Sequence, residues 1–164
     1  MPTIPLDRTD LRILDALQAD GRLTNQELAE RVALSPSPCL RRVRRLEEAG
    51  VIRQYVALLE PRAVGLGLVA YVNVKLEKRP SGRAGRFAFE EFRDAVQNWP
   101  EVMACYAMTG DIDYLMRVHV ADLDGFSRFV MDKLLKHPGV VDVRSSFALD
   151  VIKDTTALPI GGAS

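Results

Sequence analysis

The chain has 164 residues, with 22 lysines and arginines balanced by 22 aspartates and glutamates, and it is 48% hydrophobic and 27% charged. That composition is too apolar for a disordered chain and too mixed for a fibre, and the zero balance excludes a long-range positive field. Any nucleic-acid role therefore needs its basic residues gathered locally.

No apolar run reaches the about 18 residues a membrane-spanning helix requires, and the start Met1-Pro2-Thr3-Ile4-Pro5 lacks the basic-then-apolar layout of a secretory leader. A cytoplasmic protein without a membrane partner is the expectation. Cys39 and Cys105 are far apart and neither lies in a Cys-x-x-Cys pair, while His119 and His137 are isolated. Neither a metal site nor a catalytic histidine cluster is indicated, and the thiols are read as reduced and buried.

In chain order, residues 1–60 read as a helix-turn-helix module. Leu11, Leu14 and Leu17 recur at helical spacing from a start at Leu6-Asp7, where Asp7 can cap, to a stop at Asp20-Gly21. Thr24-Asn25-Gln26-Glu27 is a capping box opening a second helix with Leu28 and Val32. Ala33-Leu34 separates it from Ser35-Pro36, a cap followed by proline at the first turn of a third helix. In that helix Cys39, Leu40, Val43 and Leu46 are assigned to one side and Arg41, Arg42, Arg44 and Arg45 to the other. Four arginines on a helix held clear by a tight turn match a recognition helix, because guanidinium is well shaped for phosphates and guanine edges. Ser35 and Ser37 can cap or meet phosphate, and Gln26 can hold the DNA backbone. Val51 to Leu59 reads as one or two strands, from which Arg53 and Tyr55 can reach DNA as a wing does.

Pro61 to Gly67 reads as a hinge, and residues 68–156 form a second module. A strand at Leu68–Glu77 and a polar loop at Lys78–Gly85 precede a helix over Arg86–Trp99. Strands at Glu101–Thr109 and Asp113–Val120 flank a Gly110-Asp111-Ile112 turn. Asp122 then caps a helix carrying Phe126, Phe129, Val130 and Leu134, and Val140–Val151 is a last long strand after the His137-Pro138-Gly139 break. The order strand-helix-strand-strand-helix-strand is ferredoxin-like, so the fold class is α+β. Helices on one sheet face leave the other to self-association, giving a dimer at least. Residues 157–164 are read as a tail.

Leu6-Asp7, Asp10, Gly21-Arg22, Leu34-Ser35-Pro36-Ser37-Pro38-Cys39, Arg41-Arg42-Val43-Arg44-Arg45-Leu46-Glu47 and Gly50-Val51-Ile52 resemble the leucine-responsive regulatory protein (Lrp)/AsnC family of transcription regulators. Ala33 stands where that family usually carries glycine, which removes the residue best suited to a left-handed turn; an alanine there is free to extend the helix. Trp99-Pro100-Glu101-Val102, Thr109-Gly110-Asp111-Ile112-Asp113-Tyr114 and His137-Pro138-Gly139-Val140 carry the resemblance across nearly the whole chain, from about Leu6 to Thr156. It implies a domain that pairs subunits through its sheets, assembles dimers into tetramers or octamers, and takes up a free amino acid, commonly leucine, between dimers. No other cofactor is implied.

The residues themselves are compatible with such a site. Gly110 permits close backbone approach, Asp111 and Asp113 can meet an α-ammonium, and turn N–H groups can receive an α-carboxylate. Gly and Asp are equally the residues of an ordinary hairpin turn. Thr109 and Tyr114 complete the loop, and Ser145 and Ser146 join it from the corresponding family region, although solvated strand positions would serve them as well.

A double-stranded-DNA-binding regulator that responds to an amino acid, and is not an enzyme, is the resulting expectation. One rival is a siroheme decarboxylase, whose architecture is similar and for which Arg117 and His119 would have to serve the substrate's propionates. Another is a stand-alone metabolite-binding module with no salt-sensitive DNA affinity. Residues 1–60 hold nine basic and nine acidic side chains. All nine basic ones are arginine, and four lie in the third helix, so neutrality concentrates any DNA affinity on one surface.

Overall fold

The computed structural model describes residues 4–78 and 87–160, in two compact units. One takes the described residues of Met1–Leu58 with those of Lys153–Ser164, the other Leu59–Ile152.

The first unit holds α1 (Arg8–Ala19), α2 (Asn25–Arg31) and α3 (Pro36–Glu48). Asp7 caps α1 through a reciprocal box with Asp10, and Thr24 caps α2 through one with Glu27, so orphan N–H groups of both first turns are satisfied. Ile13, Ala16, Leu28, Ala29, Val32, Cys39 and Leu46 form its core. The buried stripe of α1 runs through Asp10, Ile13 and Ala16, with Leu11, Leu14 and Leu17 only half-buried beside it.

Ala33 corrects the expectation of an extended helix. It adopts φ 54°, the left-handed region. Leu34 N–H donates to Ala29 O at 2.9 Å and Ala33 N–H to Glu30 O at 3.2 Å, the two bonds of a Schellman ending. Leu34 then packs on the core, and this hydrophobic seat together with two otherwise orphaned carbonyls outweighs alanine's preference.

Val51 to Leu59 also departs from expectation: residues 53–60 run outside any helix or strand. A strand needs a ladder partner, and among the described residues the only sheet lies in the second unit. Tyr55 is instead tied to α3, its hydroxyl donating to Glu47 Oε1 at 3.0 Å. Desolvation, then the Glu47 carboxylate, pushes its pKa up to about 12. Within the same unit the C-terminal segment bonds α1: Gln18 Nε2 donates to Leu158 O at 3.1 Å, and Leu158 N–H to Gln18 Oε1 at 2.6 Å.

The second unit opens with a 3₁₀ turn, Pro61–Val64, followed by β1 (Leu68–Leu76), α4 (Ala88–Val96), β2 (Val102–Ala107), β3 (Tyr114–Val120), α5 (Leu123–Arg128) and β4 (Val140–Phe147). The loop expected at 78–85 and the helix start expected at Arg86 lie, except for Lys78, outside the described residues. The antiparallel sheet has the order β2-β3-β1-β4, the ferredoxin-like arrangement. Ala70, Val72, Val74 and Leu76 of β1 and Met116 and Val118 of β3 meet Phe92, Phe126, Phe129 and Leu134 from the helices.

Two further differences appear. The second helix does not stay α: Phe129–Leu134 is a π-helical turn, in which Leu135 N–H reaches Val130 O at 2.8 Å. The last strand stops at Phe147 instead of Val151: its ladder with β1 ends at the Ala70–Phe147 pair, and beyond it Ala148 N–H donates to Val69 O at 3.0 Å. No described helix is long and apolar enough to cross a membrane.

Candidate nucleic-acid and effector sites

Helix α3 presents its arginines in two groups. Arg42 Nη1 donates to Asp10 Oδ1 at 2.8 Å and to Asp7 Oδ2 at 2.7 Å, and Arg45 Nη2 pairs with Asp10 Oδ2. Asp10 is completely buried. The Asp10 backbone N–H, followed by Arg42, holds the Asp7 carboxyl below its ordinary range, and the two carboxylates hold the Arg42 guanidinium above its own. Arg42 and Arg45 thus turn back toward α1, which corrects the picture of four arginines pointing outward together. At 100° per residue Arg42 lies beside the apolar stripe, whereas Arg45 starts from the outer side and reaches back to Asp10 through its long side chain.

Arg41 and Arg44 are exposed and have no ion-pair partner among the described residues. Ser37 lies one turn before Arg41 on the same exposed face. Leu40, assigned to the buried side from its sequence, is 38% exposed on this surface. Ser35 occupies the N-cap position but its hydroxyl makes no capping bond, while Pro36 stands in the first turn where no N–H is needed. The α2–α3 junction is held by Asn25, whose Nδ2 donates to Pro36 O at 2.9 Å. Gln26 is exposed and 3.4 Å from Glu30 Oε1, and Arg53 is exposed.

In the second unit the expected loop residues do not converge on one cavity. Asp111 and Ile112 line a groove of about 230 Å³ with Asn73, Lys75, Asp142 and Arg144. Cross-strand pairing builds its floor: Asn73 sits opposite Arg144 and Lys75 opposite Asp142 on the sheet face away from the helices. Two carboxylates and two cations therefore surround a space below the about 300–1,000 Å³ usual for larger ligands.

Asp113 and Tyr114 line a different cavity, of about 370 Å³, with Leu76, Glu77, Lys78, Phe87, Phe89 and Ala107. Asp113 Oδ2 accepts Leu76 N–H at 2.7 Å, which stitches the loop to β1. Tyr114 is a core residue, its ring 4.9 Å from that of Phe92. Thr109 and Gly110 are exposed, and the Gly110 φ of 99° is one that a side chain would strain. Ser145 pairs with Val72 and Ser146 with Tyr71, so the two serines face opposite sides of the sheet, and neither lines the groove.

Arg117 and His119 lie on β3 opposite Tyr71 and Val69, on the same open face as Asn73. His137 is instead embedded in aromatics, edge-on to Phe92 at 5.4 Å and Trp99 at 6.4 Å. Cys39 is buried and Cys105 half-buried, both as free thiols whose pKa burial raises. Among the described residues no group of three or more His, Cys, Asp and Glu side chains could hold a metal.

Residues 6–53 match a winged helix-turn-helix DNA-binding model, and residues 69–158 match the Lrp/AsnC ligand binding domain. The chain belongs to the Lrp/AsnC family of transcriptional regulators. It is 41% identical over 159 residues to the leucine-responsive regulatory proteins of Klebsiella pneumoniae and Escherichia coli K12, covering 97% of this chain and 94% of each relative. A transcriptional regulator from Neisseria meningitidis, solved in complex with L-Met, superimposes with a TM-score of 0.90 at 53% identity, covering 96% of this chain and 98% of that one. An AsnC-family regulator from Agrobacterium tumefaciens gives 0.85 at 39% identity, with 94% and 97% covered.

An Lrp/AsnC protein is thus a two-part regulator with a helix-turn-helix DNA-binding domain and an amino-acid-binding domain, and here two of the four α3 arginines pair internally. Asn73, Lys75, Asp142 and Arg144 escaped sequence reasoning because they come from two strands more than sixty positions apart in the chain. Their period-two placement on β1 and β4 was the available signal, and it becomes informative once those strands are known to be neighbours.

Proposed function

We propose that the DNA contacts of this regulator are made chiefly by Arg41 and Arg44, with Ser37, Ser35, Gln26 and Arg53 on neighbouring backbone, and that Arg42 and Arg45 act from behind. The reading is supported by the exposure of Arg41 and Arg44 and by the carboxylates engaged by the other pair. Two-fold pairing of subunits would read pseudo-palindromic half-sites.

The effector is a free apolar amino acid, methionine or leucine in class, held in the groove lined by Asp111 and Arg144. One observation carries this reading: a zwitterion needs an anion and a cation a few ångströms apart, and the groove offers Asp111 beside Lys75 and Arg144, the last also paired with Asp142 at 3.1 Å. The relative solved with L-Met and those named for leucine support the side-chain class. The larger cavity suits a zwitterion less, because the Asp113 oxygen is already engaged by Leu76 N–H. The apolar side chain would be covered by a second dimer. Tyr71 and Tyr106, 42% and 58% exposed, lie on the open sheet face that pairs subunits, and assembly proceeds to tetramers or octamers. The protein acts in the cytoplasm as a regulator and not as an enzyme.

A thermal-shift panel over the twenty amino acids, read beside light scattering, tests the effector reading, since a ligand bound only to the native state raises Tm by linkage. Methionine or leucine should give the largest shift, and Asp111→Ala and Arg144→Ala should each abolish it. A panel with no shift, or a normal response in both variants, overturns the assignment.

A further inference from the structure

Asp10 is the only buried charged side chain among the described residues. A carboxylate withdrawn from water is retained where its oxygens are paired, and here both are. Oδ1 accepts Arg42 Nη1 at 2.8 Å, and Oδ2 accepts Asp7 N–H at 3.1 Å together with Arg45 Nη2. Asp7 Oδ2 accepts the same Arg42 Nη1 at 2.7 Å. Two carboxylates at the start of α1 are therefore matched by two guanidiniums of α3, and the cluster is neutral.

Geometry gives this cluster a consequence that packing lacks. Arg42 and Arg45 are one turn apart on α3, so a single carboxylate is gripped at two heights along the helix axis. Apolar contacts between α1, α2 and α3 are non-directional and allow a helix to rotate or slide by small amounts. Charge-assisted hydrogen bonds are directional, and two converging on one group define both rotation and axial height. Arg41 and Arg44 each directly precede a clamped arginine, so their direction is set by the same two bonds.

We propose that Asp10 is a positioning residue for DNA recognition, holding α3 through Arg42 and Arg45 so that Arg41 and Arg44 meet the duplex in one register. The proposal rests on the assignment of Arg41 and Arg44 to DNA. It separates two quantities: attraction to phosphate needs positive charge on the surface, whereas discrimination among base sequences needs a fixed geometry. Asp10 therefore controls the second and leaves the first.

The test uses the full-length chain and two probes, a duplex enriched by the wild-type protein from a random-sequence pool and a scrambled duplex of equal length. Affinities are read by fluorescence anisotropy over a range of salt. Asp10→Asn, with native circular dichroism and unchanged assembly state, should lose about tenfold or more in affinity for the enriched duplex, the scale of a base contact put out of register. Its affinity for the scrambled duplex should stay level or rise, because guanidiniums are released. Arg42→Gln should lose the same discrimination with an unchanged salt slope, and the double variant should be no worse than either single change, because the two side chains act as a unit.

Wild-type discrimination in folded Asp10→Asn overturns the proposal. So does a parallel loss on both duplexes, which marks a role in folding alone. An Arg42→Gln salt slope reduced by about 0.9 per subunit also overturns it, because that guanidinium would then neutralise a phosphate itself. If Asp10→Asn does not fold, Asp10→Asn/Arg42→Gln removes one charge of each sign and carries the same comparison. If the wild-type chain enriches no duplex, the recognition surface itself is misassigned and the proposal falls with it, an outcome distinct from the loss of discrimination in a variant.

Discussion

Replacing Ala33 by glycine reverses sign between two descriptions of the α2–α3 turn. Were Ala33 part of a lengthened α2, glycine would destabilise the helix by about 1 kcal/mol. At φ 54° the residue is instead in the left-handed region, where a Cβ costs about 1–2 kcal/mol. Glycine removes that cost and adds about 0.4–1 kcal/mol of unfolded-chain entropy. Ala33 is exposed, so deleting its methyl forfeits little packing. The Schellman bonds use only backbone atoms and survive the change. The net expectation for Ala33→Gly is stabilisation by about 0.5–1 kcal/mol, a rise of roughly 2–8 °C in the transition of a unit this size. Thermal melts followed at 222 nm, with hydrogen exchange at the α2 and α3 amides to assign the transition, measure it directly. A fall in Tm, or weaker protection of those amides, would refute the left-handed turn and the ending built on it.

Arg41→Ala/Arg44→Ala should weaken DNA binding and flatten the log–log salt dependence by about 1.8 per subunit, two phosphates at about 0.9 each. Anisotropy titrations check this, and an unchanged slope contradicts the assignment. Phe92 is fully buried against Trp99, Tyr114 and His137, so Phe92→Ala should cost about 3–5 kcal/mol. The emission of Trp99, the single tryptophan, should report the change in denaturant titrations, and a loss below about 1 kcal/mol would place Phe92 outside the core. The helix-turn-helix unit should weaken in acid. Asp7 is held below its ordinary 3.8 by the Asp10 N–H and Arg42, and Glu27 below its ordinary 4.5 by its bonds with Thr24. A depressed carboxyl stabilises the fold above its unfolded pKa, and that contribution disappears as pH falls through the folded value. Exchange protection of α1 and α2 should decline across this window, and protection that holds or rises there would contradict the pairing.

Helix starts were legible because the signals are local. Asp7, Thr24 and Pro36 each determine their own first turn through contacts within three or four positions. Strand order was legible as well, since a strand-helix-strand-strand-helix-strand chain has few ways to bury its apolar faces. The reading of Val51–Leu59 as strand went astray because β-rich composition reports suitability for a sheet, not the presence of a partner. The long last strand also ended early, its ladder with β1 stopping at the Ala70–Phe147 pair. At the candidate sites, the arginines were visible as a group but their division was not. The sequence reading put Leu40 with the core and Arg42 opposite it, whereas 38% exposure of the one and carboxylate pairing of the other give the reverse.

What this sequence determined by itself was whatever depends on neighbours along the chain: the caps, the two modules, the ferredoxin-like order, and the basic third helix that carries the family resemblance. Tertiary structure alone decided which charges pair with one another inside the fold. Asp10 lies 32 and 35 positions from the arginines it engages, and Lys75 meets Asp142 only because β1 and β4 are adjacent in the sheet. Electrostatic pairing depends on distance in space, so the same residues read as one charged surface in sequence and as a buried carboxylate clamp, an exposed arginine pair and a groove lined by both signs of charge in the folded chain.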